Sequence, residues 1–190
     1  MILIPKLSNI VELGGTLAIA HFNENGQLIE DRFYSNIVVT VGKQWIAARM
    51  KDTGIPTQMT HMAVGGNATV GSNPTKTTPV VGDTQLSTGG SPALSELARV
   101  GLTTAGGTVS GAVVTYNATF NPGTGTGAIV EAGIFNDSSA GTLLCRTTFA
   151  VVNKGADDIR VLTIILNGAW VRGPYFGPGK CAASPASCQQ

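Results

Sequence analysis

The stretch "AIVEAGIFNDSSAGTLLCRTTFAVVNK", residues 128–154, decides how the chain is read. It carries Glu131, Asp137, Cys145, Arg146 and several hydroxyls, enough to suggest the wall of a catalytic site. It also has the form of a strand, a turn and a strand. Placing Phe135 opposite Thr142 pairs Ile134 with Leu143, Ala132 with Cys145, Val130 with Thr147 and Ala128 with Phe149 on one face. The other face pairs Gly133 with Leu144, Glu131 with Arg146 and Ile129 with Thr148. Side chains alternate with period two along a strand, so this register builds an apolar face and sets opposite charges across from each other. Such a cross-strand pair contributes about 0.2–1 kcal/mol. Cys145 then behaves as a small hydrophobe, Glu131 and Arg146 form a structural pair, and "NDSSAG" supplies turn formers.

Composition widens the same reading. Of 190 residues, 43% are hydrophobic, enough for a full core, while only 12% are charged and 25 are Gly. Helical bundles need charged outer faces. Short apolar runs separated by Gly, Thr, Asn and Pro point instead to an all-β, antiparallel sandwich or barrel-like domain. Charged residues are depleted at the cores of protein interfaces, so the low charge favours association. A net charge of +1 offers no basic face for nucleic acid. No apolar run reaches the roughly 18–20 residues of a membrane span, and the start "MILIPKLSNIVELGG" does not read as a signal peptide. The expectation is a soluble product of a cytoplasm, without nucleic-acid or membrane partners.

Along the chain, Asn25-Gly26 between apolar runs predicts a hairpin of Leu17–Asn23 with Gln27–Tyr34. "GKQWIAARMKD", 42–52, is the helix candidate, with Gly54 suited to its exit. "MTHMAVGGNATVG" reads as a strand entering a Gly-Gly-Asn turn, and residues 71–92 as a long irregular loop rich in Thr, Pro and Gly. "DIRVLTIILNGAWV" is the most β-prone run and suits a central strand. A single domain is expected over 1–172, with extended N- and C-terminal arms and a tail at 173–190. That tail holds Cys181 and Cys188, either reduced or joined in a disulfide, within the tail or to a neighbouring subunit.

Chemistry finds little purchase. His21 and His61 have no Cys or carboxylate at ligand spacing. There is no Gly-x-Ser-x-Gly elbow, and "VGGNATVG" and "NPGTGTG" lack the Lys-Ser/Thr end of a phosphate loop. No catalytic, cofactor or metal residue can be nominated, so the chain is read as a non-enzyme without cofactors. A glycan-binding sandwich is a further alternative, although Trp45 and Trp170 suit a core or interface better than an exposed sugar platform.

Read in order, "SNIVVTVGKQWIAARM", "MTHMAVGGNATV", "GDTQLSTGGSPALSELARV" and the hairpin with its following strand resemble small virion proteins of tailed bacteriophages. The shared pattern is an Asn-x-Val-x-x-x-Gly helix start, a "hmavG" segment, "GDTxL…E" and a Glu-Ala-Gly-Ile-Phe-Asn hairpin, spanning about 35–167. The hairpin is similar also to the attachment domain of tail-collar fibres. The N-terminal hairpin and the Cys-containing tail lie outside the shared pattern. The resemblance implies a virion structural protein, a capsid decoration or cement protein stabilising the head. The alternative is a tail, collar or baseplate component that attaches a fibre. It implies homo-oligomers and contacts with the major capsid protein or with tail and baseplate proteins, in a virion assembled in the host cytoplasm.

Overall fold

The structure, a computed structural model, describes residues 11–23, 25–51, 53–86 and 91–171. The expected arms and the candidate disulfide of Cys181 and Cys188 lie outside these residues. Among the described residues nine strands and one helix follow in order: β1 (Val11–Phe22), β2 (Leu28–Val38), α1 (Thr40–Arg49), β3 (His61–Asn67), β4 (Ser95–Gly101), β5 (Thr108–Ser110), β6 (Val113–Phe120), β7 (Gly127–Phe135), β8 (Leu143–Lys154) and β9 (Ile159–Val171). They form one antiparallel sheet in the order β4-β3-β7-β8-β2-β1-β9-β6-β5. The all-β antiparallel class expected from composition is therefore what the chain adopts.

The sheet is two halves joined by a narrow seam. β2 pairs with β8 only through Ile37–Arg146 and Val38–Cys145. From there the halves curl toward each other, until β3 and β4 approach β6. The main core is shared between them: Leu17 and Ile19 of β1, Phe120 of β6, Met62 of β3, Ile134 of β7 and Phe149 of β8. Each such side chain contributes about 1.5–3 kcal/mol through the surface it removes from water.

Local chemistry accounts for the β1–β2 hairpin. Asn23 Oδ1 accepts from the N–H groups of Asn25 and Gln27, at 3.0 and 2.9 Å, and Gly26 takes φ 74°. A side chain at position 26 would be strained there. The expected hairpin is present, with Leu17 opposite Tyr34. β9 is central as expected, flanked by β1 and β6.

The helix spans 40–49, two residues earlier at its start than 42–52 and three at its end. No side chain caps its start. Instead the Val39 N–H donates to the Leu144 carbonyl and the Thr40 N–H to that of Val81, so the helix begins directly off β2. It ends at Met50, whose N–H turns back to Ala47. Gly42 is the packing contact: a Cβ there would run into the Leu144 carbonyl of β8.

The β7–β8 register differs from the one expected. Ile134 faces Cys145, Ala132 faces Thr147, Gly133 faces Arg146 and Glu131 faces Thr148, with Phe135 opposite Leu143. An extra residue on β8, Leu144, forms a bulge. Its carbonyl serves the start of α1 rather than β7, and its side chain enters the main core, while Leu143 turns to the other face with Phe135. A second irregularity, between Ile129 and Glu131, sets Ile129 against Val152 in the main core rather than against Thr148. Such bulges reassign side chains between faces.

Gly65 and Gly66 also depart from expectation. They lie inside β3 rather than in a turn, beside register shifts to both neighbouring strands. A Cβ on Gly66 would meet the Ala128 carbonyl of β7. Glycine here marks close approach of strands.

Candidate functional site

Two regions on the outer side of the sheet are candidates, and both grow from strand pairing. The first is where the sequence pointed. Between the two bulges the shift is of two residues, which preserves alternation, so Glu131 and Arg146 share the outer face as diagonal neighbours rather than direct partners. Arg146 Nε and Nη2 lie 2.8 and 2.7 Å from Glu131 Oε2. Both residues are sealed from solvent.

The remaining guanidinium donors reach the long loop. Nη1 donates to Asp83 Oδ2 at 2.8 Å, and Nη2 to the Thr77 hydroxyl and carbonyl at 3.0 and 3.3 Å. The planar fork of Arg makes this possible, since its five donors point in fixed directions. Between these anchors Val80 N–H donates to Asp83 Oδ2 at 3.0 Å, closing a turn. Lys76 Nζ bonds the Phe149 carbonyl, and Leu86 packs into a small second core with Val39, Ala63, Phe135 and Leu143. The segment expected to be a long irregular loop is irregular, yet bolted to the sheet. Gly65 leaves the slot that Glu131 fills, because a Cβ there would strike Glu131 Oε1.

The other polar residues of the hairpin have equally local posts. Asp137 Oδ1 accepts from the N–H groups of Ser139 and Ala140, at 2.9 and 3.1 Å, and these bonds hold its carboxyl below the usual range. Arg99 braces the same turn, donating to the carbonyls of Asp137 and Ala140 at 3.1 and 2.6 Å and lying over the Phe135 ring. Cys145 is buried in the main core, where desolvation pushes its thiol up to about 12. Lys154, at the end of β8, is buried and donates to the Asn121 carbonyl at 3.0 Å; burial lowers its ammonium pKa. The fold also brings His21 within 3.4 Å of Asp158, a proximity that spacing along the chain could not reveal. Among the described residues no three His, Cys, Asp or Glu side chains gather as metal ligands.

The second region is the outer face of β1 and β2. Ile37, Ser35, Phe33, Asp31 and Ile29 alternate outward on β2, across from Gly14, Thr16, Ala18 and Ala20 of β1. Phe33 is 68% exposed, and Ile29 and Leu28 are each 56% exposed. No described residue covers them. The inward positions hold Glu30 and Arg32, bonded to each other at 2.6 Å. Arg32 Nη1 also reaches the Ala150 and Val151 carbonyls of β8 across the widening seam, at 3.2 and 3.1 Å. On this strand the part-exposed Glu30–Arg32 pair shares the inward side with Tyr34, which packs on the core, while Phe33 stands on the outer side. The sequence reading missed this face, although its signal was the alternating "LIEDRFYS" of 28–35.

Arg146 and its partners hold the loop, and the outer face of β1 and β2 carries exposed apolar side chains. Compared with family models, curated proteins and solved structures, the chain matches none of them.

Proposed function

We propose that the chain is a structural protein of a tailed-bacteriophage particle, a capsid decoration or cement protein that binds through the outer face of β1 and β2. The observation that carries this reading is the pair of exposed apolar side chains Ile29 and Phe33, which stand either side of Asp31 on the outer face of β2 and are covered by no described residue. Aromatic residues are enriched in protein interfaces and carry much of their binding energy. The buried Arg146 cluster supports the same role, since its charges are directed at Glu131, Asp83 and Thr77 inside the molecule. The sequence resemblance over residues 35–167 supplies the particle.

The test is co-purification with assembled heads in fixed copy number, combined with heat resistance of heads made without the protein. Heads that retain full stability and infectivity without it would sink the cement role. Recovery with tails instead of heads would move the assignment to fibre attachment.

A further inference from the structure

At one end of the molecule, a groove between α1 and the β5–β6 hairpin encloses about 440 Å3. Small-molecule sites fall in the range of about 300–1,000 Å3. Its floor is apolar, made by Ile46 of α1, Val114 and Tyr116 of β6, Leu144 of β8 and Leu166 of β9. Tyr116, Leu144 and Leu166 are buried members of the main core, so the floor is preformed. The lining also includes two exposed polar side chains, Arg49 and Gln58.

Arg49 is held in place there. Its Nη1 donates to the Pro56 carbonyl at 2.7 Å, and its guanidinium lies 5.5 Å from the Trp45 ring centroid. Trp45 Nε1 in turn donates to the Thr57 carbonyl at 2.8 Å. These bonds fasten residues 56 and 57 to α1, and Gln58, next in the chain, lines the same groove. Only one of the five guanidinium N–H donors is used by Pro56. Among the described residues lining the groove, Arg49 alone is charged. Burial raises the Tyr116 phenol to about 12, keeping it neutral, and the Arg49 charge opposes that rise, so the guanidinium is within electrostatic reach of the floor.

We propose that this groove binds a small amphipathic monocarboxylate, its hydrocarbon on the apolar floor and its carboxylate on Arg49 and Gln58. Among the described residues lining the groove, that single cation with no acid matches a single negative charge. Charge-assisted bonds from a guanidinium to a carboxylate are roughly twice as strong as neutral ones.

The experiment titrates the full chain with decanoate and with 1-decanol, the same hydrocarbon without the charge, by calorimetry and tryptophan fluorescence. Decanoate should bind one per chain and saturate. Arg49→Gln should weaken decanoate about tenfold or more, the loss of a charge-assisted bond, and leave decanol unchanged. Arg49→Lys should restore part of the difference. Ala112 lines the groove and is exposed, so Ala112→Trp can fill the mouth without rebuilding the core; it should abolish binding of both probes. Absence of saturable binding, binding that survives Ala112→Trp, or equal losses for both probes in Arg49→Gln would overturn the proposal. Decanoate that binds only by dissociating a dimer, read by sedimentation, would assign the groove to a second copy and overturn it as well.

Discussion

Arg146 and Phe33 project from the same side of the same sheet, linked through the Ile37–Arg146 pair at the seam. Arg146 is sealed beneath the loop, while Phe33 stands 68% exposed. The difference follows from what each residue requires. A buried guanidinium is tolerated only when its donors are matched, which recruits Glu131 from the neighbouring strand and Asp83 and Thr77 from the loop. An exposed phenyl ring makes no such demand of its own chain, and it leaves about 1.5–3 kcal/mol of burial to be gained on contact with another surface. One region is finished by intramolecular chemistry. The other leaves its apolar side chains exposed among the described residues.

The sharpest way to break the comparison is Arg146→Ala. It leaves the Glu131 carboxylate buried without its cation and unpins the loop, with an expected loss of about 3–5 kcal/mol in denaturant unfolding. Proteolysis between residues 77 and 83 should accelerate in parallel. A loss below about 1 kcal/mol would mean that the loop is held by Leu86 and backbone bonds alone.

Gly65→Ala tests the same region from beneath. The new Cβ strikes Glu131 Oε1, and overpacking of this kind costs about 1–3 kcal/mol. Combined with Glu131→Gln it tests whether the two sites are coupled, because contacting residues depart from additivity.

Alkaline pH should weaken the core that both regions share. Cys145 rises from 9.0 and Tyr116 from 10.0, each to about 12, mainly through burial. An acid with a raised folded pKa stays protonated in the fold and ionises on unfolding. Its stabilising effect is therefore intact below about pH 9 and is lost as pH climbs from 9 to 12. Denaturant midpoints measured at pH 8 and pH 10 should differ, and Cys145→Ala should flatten that slope.

The smallest effect on stability belongs to Phe33→Ser, within about 0.5 kcal/mol for an exposed site. Its effect on association should be the largest of any of these variants, read as lost retention on assembled particles. Unaltered retention would remove the β1–β2 face from the proposed interface.

How much of this could be read from the chain depended on the range of the interaction. The Asn25-Gly26 turn and the "NDSSAG" turn were legible because Asn23 and Asp137 bond backbone within four residues of themselves. The membership of Glu131 and Arg146 in one face was legible too, since alternation has period two. Their exact partners were not, because a shift of two residues preserves that alternation. Gly65 and Gly66 looked like turn residues, as nothing local announces that β7 passes close enough to exclude a side chain.

The sequence by itself determined the all-β class, the hairpins at Asn25-Gly26 and at 136–141, and the central place of "DIRVLTIILNGAWV", because propensity, turn chemistry and periodicity act over a few residues. Tertiary structure alone decided the Leu144 bulge, the capture of Asp83 by Arg146 across 63 residues, and which apolar side chains stay exposed among the described residues. Those outcomes depend on which strands meet and where donors find acceptors, and such long-range pairing is set only when the whole sheet closes around its core.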